Sequence, residues 1–195
     1  MVTLDLNQAF YHVSLARDQR KYFAFDFMGK RYCFNCLPVS LSSSPRIFTK
    51  ILRPVIKLAR EKGIRLIVYL DDILILASSK EMLNQQSIVV LDLLQRLGFT
   101  INKEKSSLIP SQVVDYLGFQ INSRSMVIKL PKSKVKDLIQ ECKKMKEKKV
   151  VPVRKLAALI GKISATANAI FPARLNSRAL LRDKITTIKK KGWNS

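Results

Sequence analysis

Residues 68–76 read VYLDDILIL, so two adjacent aspartates, Asp71 and Asp72, interrupt an otherwise apolar stretch. An ionised carboxylate taken out of water without a partner is costly, and two side by side cost more. The flanking runs RLIVYL and ILILAS are rich in β-branched and aliphatic residues. They predict two strands joined by a tight hairpin with both carboxylates at its tip. Two readings follow. Aspartate is a common turn residue, and a lone DD favours that reading. A pair of carboxylates is also a ligand set for a hard divalent cation.

The rest of the chain supplies the frame for that hairpin. MVTLDL reads as a first strand ending on Asp5. KYFAFDFMGKRYCFNCL reads as a hairpin whose aromatic-rich arms flank Met28-Gly29-Lys30. LPVSLSSSPRIF is a turn-rich entry to a helix, with Ser43 or Ser44 as N-cap and Pro45 at the first helical position. Ile47, Phe48, Ile51, Leu52, Val55 and Ile56 then recur at helical spacing, which predicts a helix to about Lys62. EMLNQQSIVVLDLLQRLGF predicts an amphipathic helix ended by Gly98, and VVDYLGFQIN a further strand pair or hairpin arm. Strand, helix, strand–strand, helix, strand is the order of an α+β core with helices on one face of an antiparallel sheet.

After Pro131 the composition changes. Val135, Leu138, Ile139, Cys142 and Met145 line one face of a Lys-rich helix; Leu156, Leu159, Ile160 and Ile163 line a second, and Leu180, Leu181, Ile185 and Ile188 a third. This predicts a small basic helical bundle. The chain carries 36 Lys+Arg against 14 Asp+Glu, a net of +22. Residues 129–195 hold 19 against 4, a net of +15, so the last third supplies most of the charge. Such an excess implies a polyanionic partner. Three cysteines do not make a disulfide scaffold and suit a reducing compartment. Cys33 and Cys36 are expected to be small apolar fillers of a strand, since no second pair completes a zinc site. The apolar run around residue 70 is too short to span a bilayer. The expectation is a soluble intracellular protein with no membrane partner.

Asp5 and the Asp71–Asp72 hairpin can be neighbours in an antiparallel sheet. Three converging carboxylates repel unless a divalent cation sits among them. Two such ions about 4 Å apart stabilise both oxygens of a phosphoryl transfer. A basic surface and an acidic metal centre on an α+β core suggest a nucleotidyltransferase acting on a polynucleotide.

At this point five stretches, in order, resemble the blocks of a retroelement reverse transcriptase. LDLNQAFYHV resembles its first catalytic block, YCFNCLPVSLSSSPRIFTKIL the second, YLDD the third and LGFTINKEKS the fourth. YLGFQI resembles the hairpin that grips the primer end. SSSPRIFTK, NKEKSSLIPSQVVDYLGF and VRKLAALIGKISA are most similar to retrotransposons of the tyrosine-recombinase (DIRS-like) group. The resemblance implies a ferredoxin-like polymerase palm over residues 1–128, with a partial fingers hairpin at about 15–37. A helical thumb or connection-like segment covers 129–195. It implies RNA-directed DNA polymerase activity: two-metal transfer of deoxynucleoside triphosphates onto a primer 3′ end, on an RNA or DNA template, with two Mg²⁺ ions or Mn²⁺ in their place.

The same resemblance assigns roles. Asp5 and Asp71 match the metal-holding aspartates, Asp72 is the third acid, and the Leu6 carbonyl completes one shell. Phe10 matches the aromatic under the nucleotide sugar that excludes a 2′-hydroxyl; an ordinary core aromatic is the alternative. Val39 and Ser40 match positions beside the nucleotide, and Lys103 or Lys105 the lysine that protonates the leaving pyrophosphate. Tyr69, Tyr116, Leu117 and Gly118 match primer contacts. His12, the only histidine, is expected to be structural, because two-metal chemistry needs no imidazole.

Two departures stand against the resemblance. Val39-Ser40 replaces the usual Gln or Phe followed by Gly, which puts a side chain where backbone approaches the nucleotide. The chain begins four residues before Asp5, without the family's N-terminal finger strands, and no ribonuclease H or integrase segment follows. A piece of a longer polyprotein is expected. The alternative function is a catalytically inactive palm-fold module that binds nucleic acid. A viral RNA-dependent RNA polymerase is disfavoured by Leu70 before the aspartates and by Phe10.

Overall fold

The structure is a computed structural model, and it describes residues 1–148 and 150–193. Lys149, within the Lys run 143–149, lies outside the described residues. Its strands are β1 (Val2–Asp5), β2 (Ala24–Phe27), β3 (Lys30–Cys33), β4 (Arg65–Tyr69), β5 (Asp72–Leu76), β6 (Val113–Tyr116), β7 (Phe119–Asn122) and β8 (Val127–Lys129). Its α-helices are α1 (Ser44–Glu61), α2 (Lys80–Arg96), α3 (Lys132–Lys146), α4 (Val153–Ala165), α5 (Ala173–Asn176) and α6 (Arg178–Lys191). Two compact units divide the chain, Met1–Tyr116 and Leu117–Ser195. That division falls before the sequence-based boundary at 128/129, because β7 and β8 group with the basic helices.

The first unit is built on an antiparallel sheet in the order β1-β5-β4. β5 is apolar on both faces beyond Asp72, so Ile73, Leu74 and Ile75 are all buried, whereas β1 buries Val2 and Leu4 on one face and carries Thr3 and Asp5 on the other. β4 is an edge strand and alternates, with Leu66 buried and Ile67 exposed. Beyond β1, residues 101–107 supply a fourth arm reduced to two antiparallel bridges, Leu6↔Ile101 and Thr3↔Ser107. The spatial order is then fourth, first, third, second, which is the ferredoxin-like arrangement.

Helices α1 and α2 cover one face. Ser43 stands at the N-cap position of α1 without a side-chain cap hydrogen bond, and proline stands in its first turn, where a missing N–H costs nothing. The Ser44 hydroxyl donates to the Pro38 carbonyl at 2.6 Å and locks the preceding loop to the helix. Phe48, Leu52 and Ala59 then point into the sheet. Ser79 caps α2 by accepting the Met82 N–H, and Leu83, Val90 and Leu94 complete the core. His12 is structural as expected. Its Nε2 accepts the Thr100 N–H at 3.2 Å, so the ring proton sits on Nδ1, facing the Ala9 carbonyl at 3.3 Å.

β2 and β3 form a separate two-stranded hairpin closed by Met28 and Gly29, both at positive φ, as a type I′ turn requires. Every residue of both strands is exposed. Cys33 is therefore no apolar filler: it lies on an exposed strand, and Cys36 is half-buried beyond it. The expectation failed because strand patterning says which residues share a face, not whether anything covers that face.

In the second unit β7 pairs with β8, and α4 packs against α3, α5 and α6. Val153, Leu159 and Ile160 of α4 are buried, whereas α3 and α6 bury no residue fully. The expected bundle is present with a thin core, as a helical unit this small leaves much of each apolar stripe uncovered.

Candidate active site

The register of the sheet brings the acids together. Asp5 is the last residue of β1 and pairs directly with Asp72, the first residue of β5. Side chains at directly opposed antiparallel positions have Cβ atoms about 4.5–5.5 Å apart. Leu70 and Asp71 form the two-residue turn between β4 and β5. Leu70 sits at φ 55°, a left-handed conformation that costs a β-carbon-bearing residue about 1–2 kcal/mol. Strain of that kind persists where surrounding contacts over-determine the turn. One such contact is the Leu6 N–H, which donates to the Asp71 carbonyl at 3.0 Å. Leu6 itself is buried.

The acids act on one another electrostatically. Burial pushes the Asp5 carboxyl above its usual range; Asp71 adds to the rise, while Lys105 and a hydrogen bond from Asn102 oppose it. Burial also raises Asp72, helped by the charges of Asp71 and Asp5 and opposed by Lys105. Lys105 is thus the cation that faces this cluster.

Residues 102–106 form a cradle for Asp5 that the sequence reading missed. The Asn102 N–H donates to the Asp5 carbonyl at 2.8 Å, and the Asp5 N–H donates to the Ser106 hydroxyl at 2.9 Å. The Asn102 side-chain oxygen accepts the N–H groups of Glu104 and Lys105 at 3.2 and 3.3 Å. One asparagine therefore touches the carboxylate and shapes the turn that carries Lys105. The legible signal was an Asn followed by two charged residues in NKEK, a common turn pattern.

Tyr116 also differs from expectation. It is 8% exposed, and its hydroxyl donates to the carbonyls of Ile67 and Asp72 at 3.4 and 3.3 Å. Burial, then the Asp72 charge, pushes its phenol up to about 12. A buried phenol that braces both strands of the acidic hairpin is a support and not a contact surface for a primer. Tyr69, the cross-strand partner of Asp72, is 58% exposed. Phe10 lies in a 3₁₀ turn, Ala9–His12, with its ring edge-on to Phe48 at 5.3 Å between centroids. Val39 and Ser40 are exposed in the loop leading to α1, and Lys103 is exposed beside the cradle. Leu117 and Gly118, at φ 48° and 75°, open the second unit.

The donor chemistry of the acid cluster fits a hard divalent cation: carboxylate oxygens, mutual repulsion, and Lys105 as the opposing charge among the described residues. Among the described residues, no group of three or more His, Cys, Asp or Glu side chains is already drawn together tightly enough to hold a metal ion.

Comparison with known proteins shows the family to which this fold belongs. The structure of a foamy viral protease–reverse transcriptase in complex with dsDNA superposes with a TM-score of 0.77 at 21% identity, covering 100% of this chain and 31% of that one. The same foamy viral protein in complex with an RNA/DNA hybrid matches at a TM-score of 0.71 and 19% identity, covering 96% and 27%. The family model "Reverse transcriptase (RNA-dependent DNA polymerase)" matches residues 1–121, and the chain belongs to that family. It is 32% identical over 132 residues to the Gag-Pol polyprotein of Rous sarcoma virus subgroup B (strain Schmidt-Ruppin), covering 63% of this chain and 8% of the polyprotein. It is 33% identical over 148 residues to Protein P of duck hepatitis B virus (isolate brown Shanghai duck S5), covering 74% and 18%. The chain thus spans less than a fifth of these relatives.

Proposed function

We propose that this chain is the palm and thumb portion of a retroelement RNA-directed DNA polymerase, which extends a primer 3′ end with deoxynucleoside triphosphates on an RNA or DNA template. The observation that carries the reading is the in-register pairing of Asp5 with Asp72, with Asp71 on the adjoining turn. Asp5, Asp71 and Asp72, with the Leu6 carbonyl, would hold two Mg²⁺ ions, or Mn²⁺ in their place. When bound, the ions supply charge stabilisation to the attacking and leaving oxygens. Lys105 gives its proton to the leaving pyrophosphate, and Asn102 orients both Lys105 and Asp5. Phe10 closes the sugar site against a 2′-hydroxyl, and Val39, Ser40 and Lys103 border the nucleotide. Tyr69, Leu117 and Gly118 meet the primer, while Tyr116 stiffens the hairpin from beneath.

Residues 1–128 act as the palm, with the 15–37 hairpin as part of the fingers. The basic segment 129–195 acts as a thumb that holds phosphates. The wording of the second and fourth blocks supports membership of the tyrosine-recombinase retrotransposon group, and the unpaired cysteine count supports an intracellular setting. Among the described helices none is long and apolar enough to cross a membrane.

A second reading is a palm that binds nucleic acid without turnover. Ser40, a side chain where the family's second block has Gly, favours it. Primer extension by the full chain on an RNA template with Mg²⁺ or Mn²⁺ separates the two. Extension supports the first reading; tight binding with no extension at any metal concentration supports the second.

A further inference from the structure

Leu117 and Gly118 are consecutive residues at positive φ, the dihedral signature of a two-residue type I′ turn. A leucine in that conformation is strained, so the turn keeps its shape only if something holds it. Lys134, in the first turn of α3, reaches this turn. Its ammonium donates to the Gly118 carbonyl at 3.1 Å. A β-carbon at Gly118 would strike the end of the Lys134 side chain, so the lysine lies directly against the glycine. The two share a cleft of about 360 Å³ with Asp137, Glu141 and Lys162. There Glu141 takes the Lys162 ammonium at 2.6 Å. The two lysines of the cleft thus differ: one is in an ion pair between helices, and the other is hydrogen-bonded to a backbone turn.

We propose that Lys134 is a positioning residue that sets the Leu117–Gly118 turn against the 3′ end of the primer. It does not act as one more phosphate contact of the basic surface. The proposal rests on the reading that this turn meets the primer. The physical distinction is sharp. A lysine neutralising a phosphate releases a counterion, so its loss lowers the slope of log affinity against log salt by about one. A lysine bound to a backbone carbonyl has no such signature, and its loss shows only where the turn touches nucleic acid.

The test uses the full chain with a primer–template carrying 2-aminopurine at the primer 3′ terminus. Lys134→Met, Lys134→Arg and, as a phosphate-type comparison, Lys144→Met are measured for affinity across a salt series, for terminal 2-aminopurine fluorescence, and for kcat and KM. Lys144 is an exposed lysine further along α3. Lys134→Met is expected to leave the salt slope unchanged, to shift the terminal fluorescence towards that of free primer, and to lower kcat about tenfold with little change in KM. Lys134→Arg restores both readouts, and Lys144→Met lowers the slope by about one. A slope lowered by about one in Lys134→Met, with terminal fluorescence unchanged, overturns the proposal. So does a wild-type complex whose terminal 2-aminopurine does not respond to binding. If wild type binds with a normal terminal signal but never extends, the polymerase reading fails alone, and the fluorescence and salt series still decide the role of Lys134.

Discussion

The two units of the chain spend their side chains differently. In Met1–Tyr116, Val2, Leu4, Phe48, Leu52 and Ile75 are almost wholly buried, and the acids stand at the end of that core. In Leu117–Ser195, α3 and α6 bury nothing fully, and the sequence after residue 128 carries a net of +15. Under the proposed reading, the difference follows from what each charge must do. Carboxylates that share cations must be held within fractions of an ångström, which takes a packed sheet and fixed register. Lysines that attract a polyanion act through a summed field and need no common geometry. A thin core suffices beneath them.

Four substitutions probe that contrast. The largest effect is expected for Asp71→Asn, which removes a carboxylate and leaves the basic surface intact. Primer extension should fall below detection, while affinity for primer–template and its steep salt dependence persist. Extension at the wild-type rate would remove Asp71 from the chemistry. Lost binding would mean that the first unit, not the second, dominates affinity.

Next comes the core. Phe48 is 0% exposed and holds Phe10 and Phe99 at ring-centroid distances of 5.3 and 6.1 Å. Phe48→Ala should cost about 3–5 kcal/mol in denaturant melts. Val135, on α3, is 37% exposed, so Val135→Ala should stay within about 0.5–1 kcal/mol. Equal costs would erase the distinction between a packed and a thinly packed unit.

The smallest expected effect is a gain in stability. Asp5 and Asp72 have carboxyl pKa values raised by folding. A raised acid favours the folded state most below its unfolded pKa, and that contribution is lost as pH rises through the folded value. At neutral pH both acids are therefore a burden on the fold. Asp72→Asn should raise Tm at pH 7, by about 2–4 °C for each kcal/mol relieved, and the gain should vanish near pH 3. Added Mg²⁺ should raise the Tm of wild type and not of the variant. A variant with lower Tm at pH 7 would contradict the repulsion inferred here.

Much of the first unit was legible because its signals are local. Strand and helix periods, the Ser-Pro start of α1 and a tight hairpin at the acidic pair all lie within short windows, although the turn falls one residue earlier than expected, at Leu70-Asp71, which makes Asp72 the first residue of β5. The position of Asp5 at the end of the first strand added it to the pair at 71–72, and the family blocks agreed. Other features were not legible. Tyr116 matches a primer contact by resemblance until its burial beneath β4 and β5 is seen. Cys33 is read as a filler until its strand proves uncovered. Asn102 carried only a turn signal, because its partner, Asp5, is far away in sequence.

What the sequence determined by itself was the element order, the charge asymmetry and the identity of the acids, since each depends on neighbours along the chain or on composition alone. Only the tertiary structure decided that Asp5 pairs with Asp72 and not one residue away, and that Ser106 and Asn102 grip Asp5 from 101 and 97 positions further on. It also decided which of two nearby lysines faces the carboxylates. A one-residue slip in a strand would turn every side chain to the opposite face without altering composition or local propensity. Register is chosen by burial of Val2, Leu4, Ile73 and Ile75 against α1 and α2, and burial exists only once the distant segments have met.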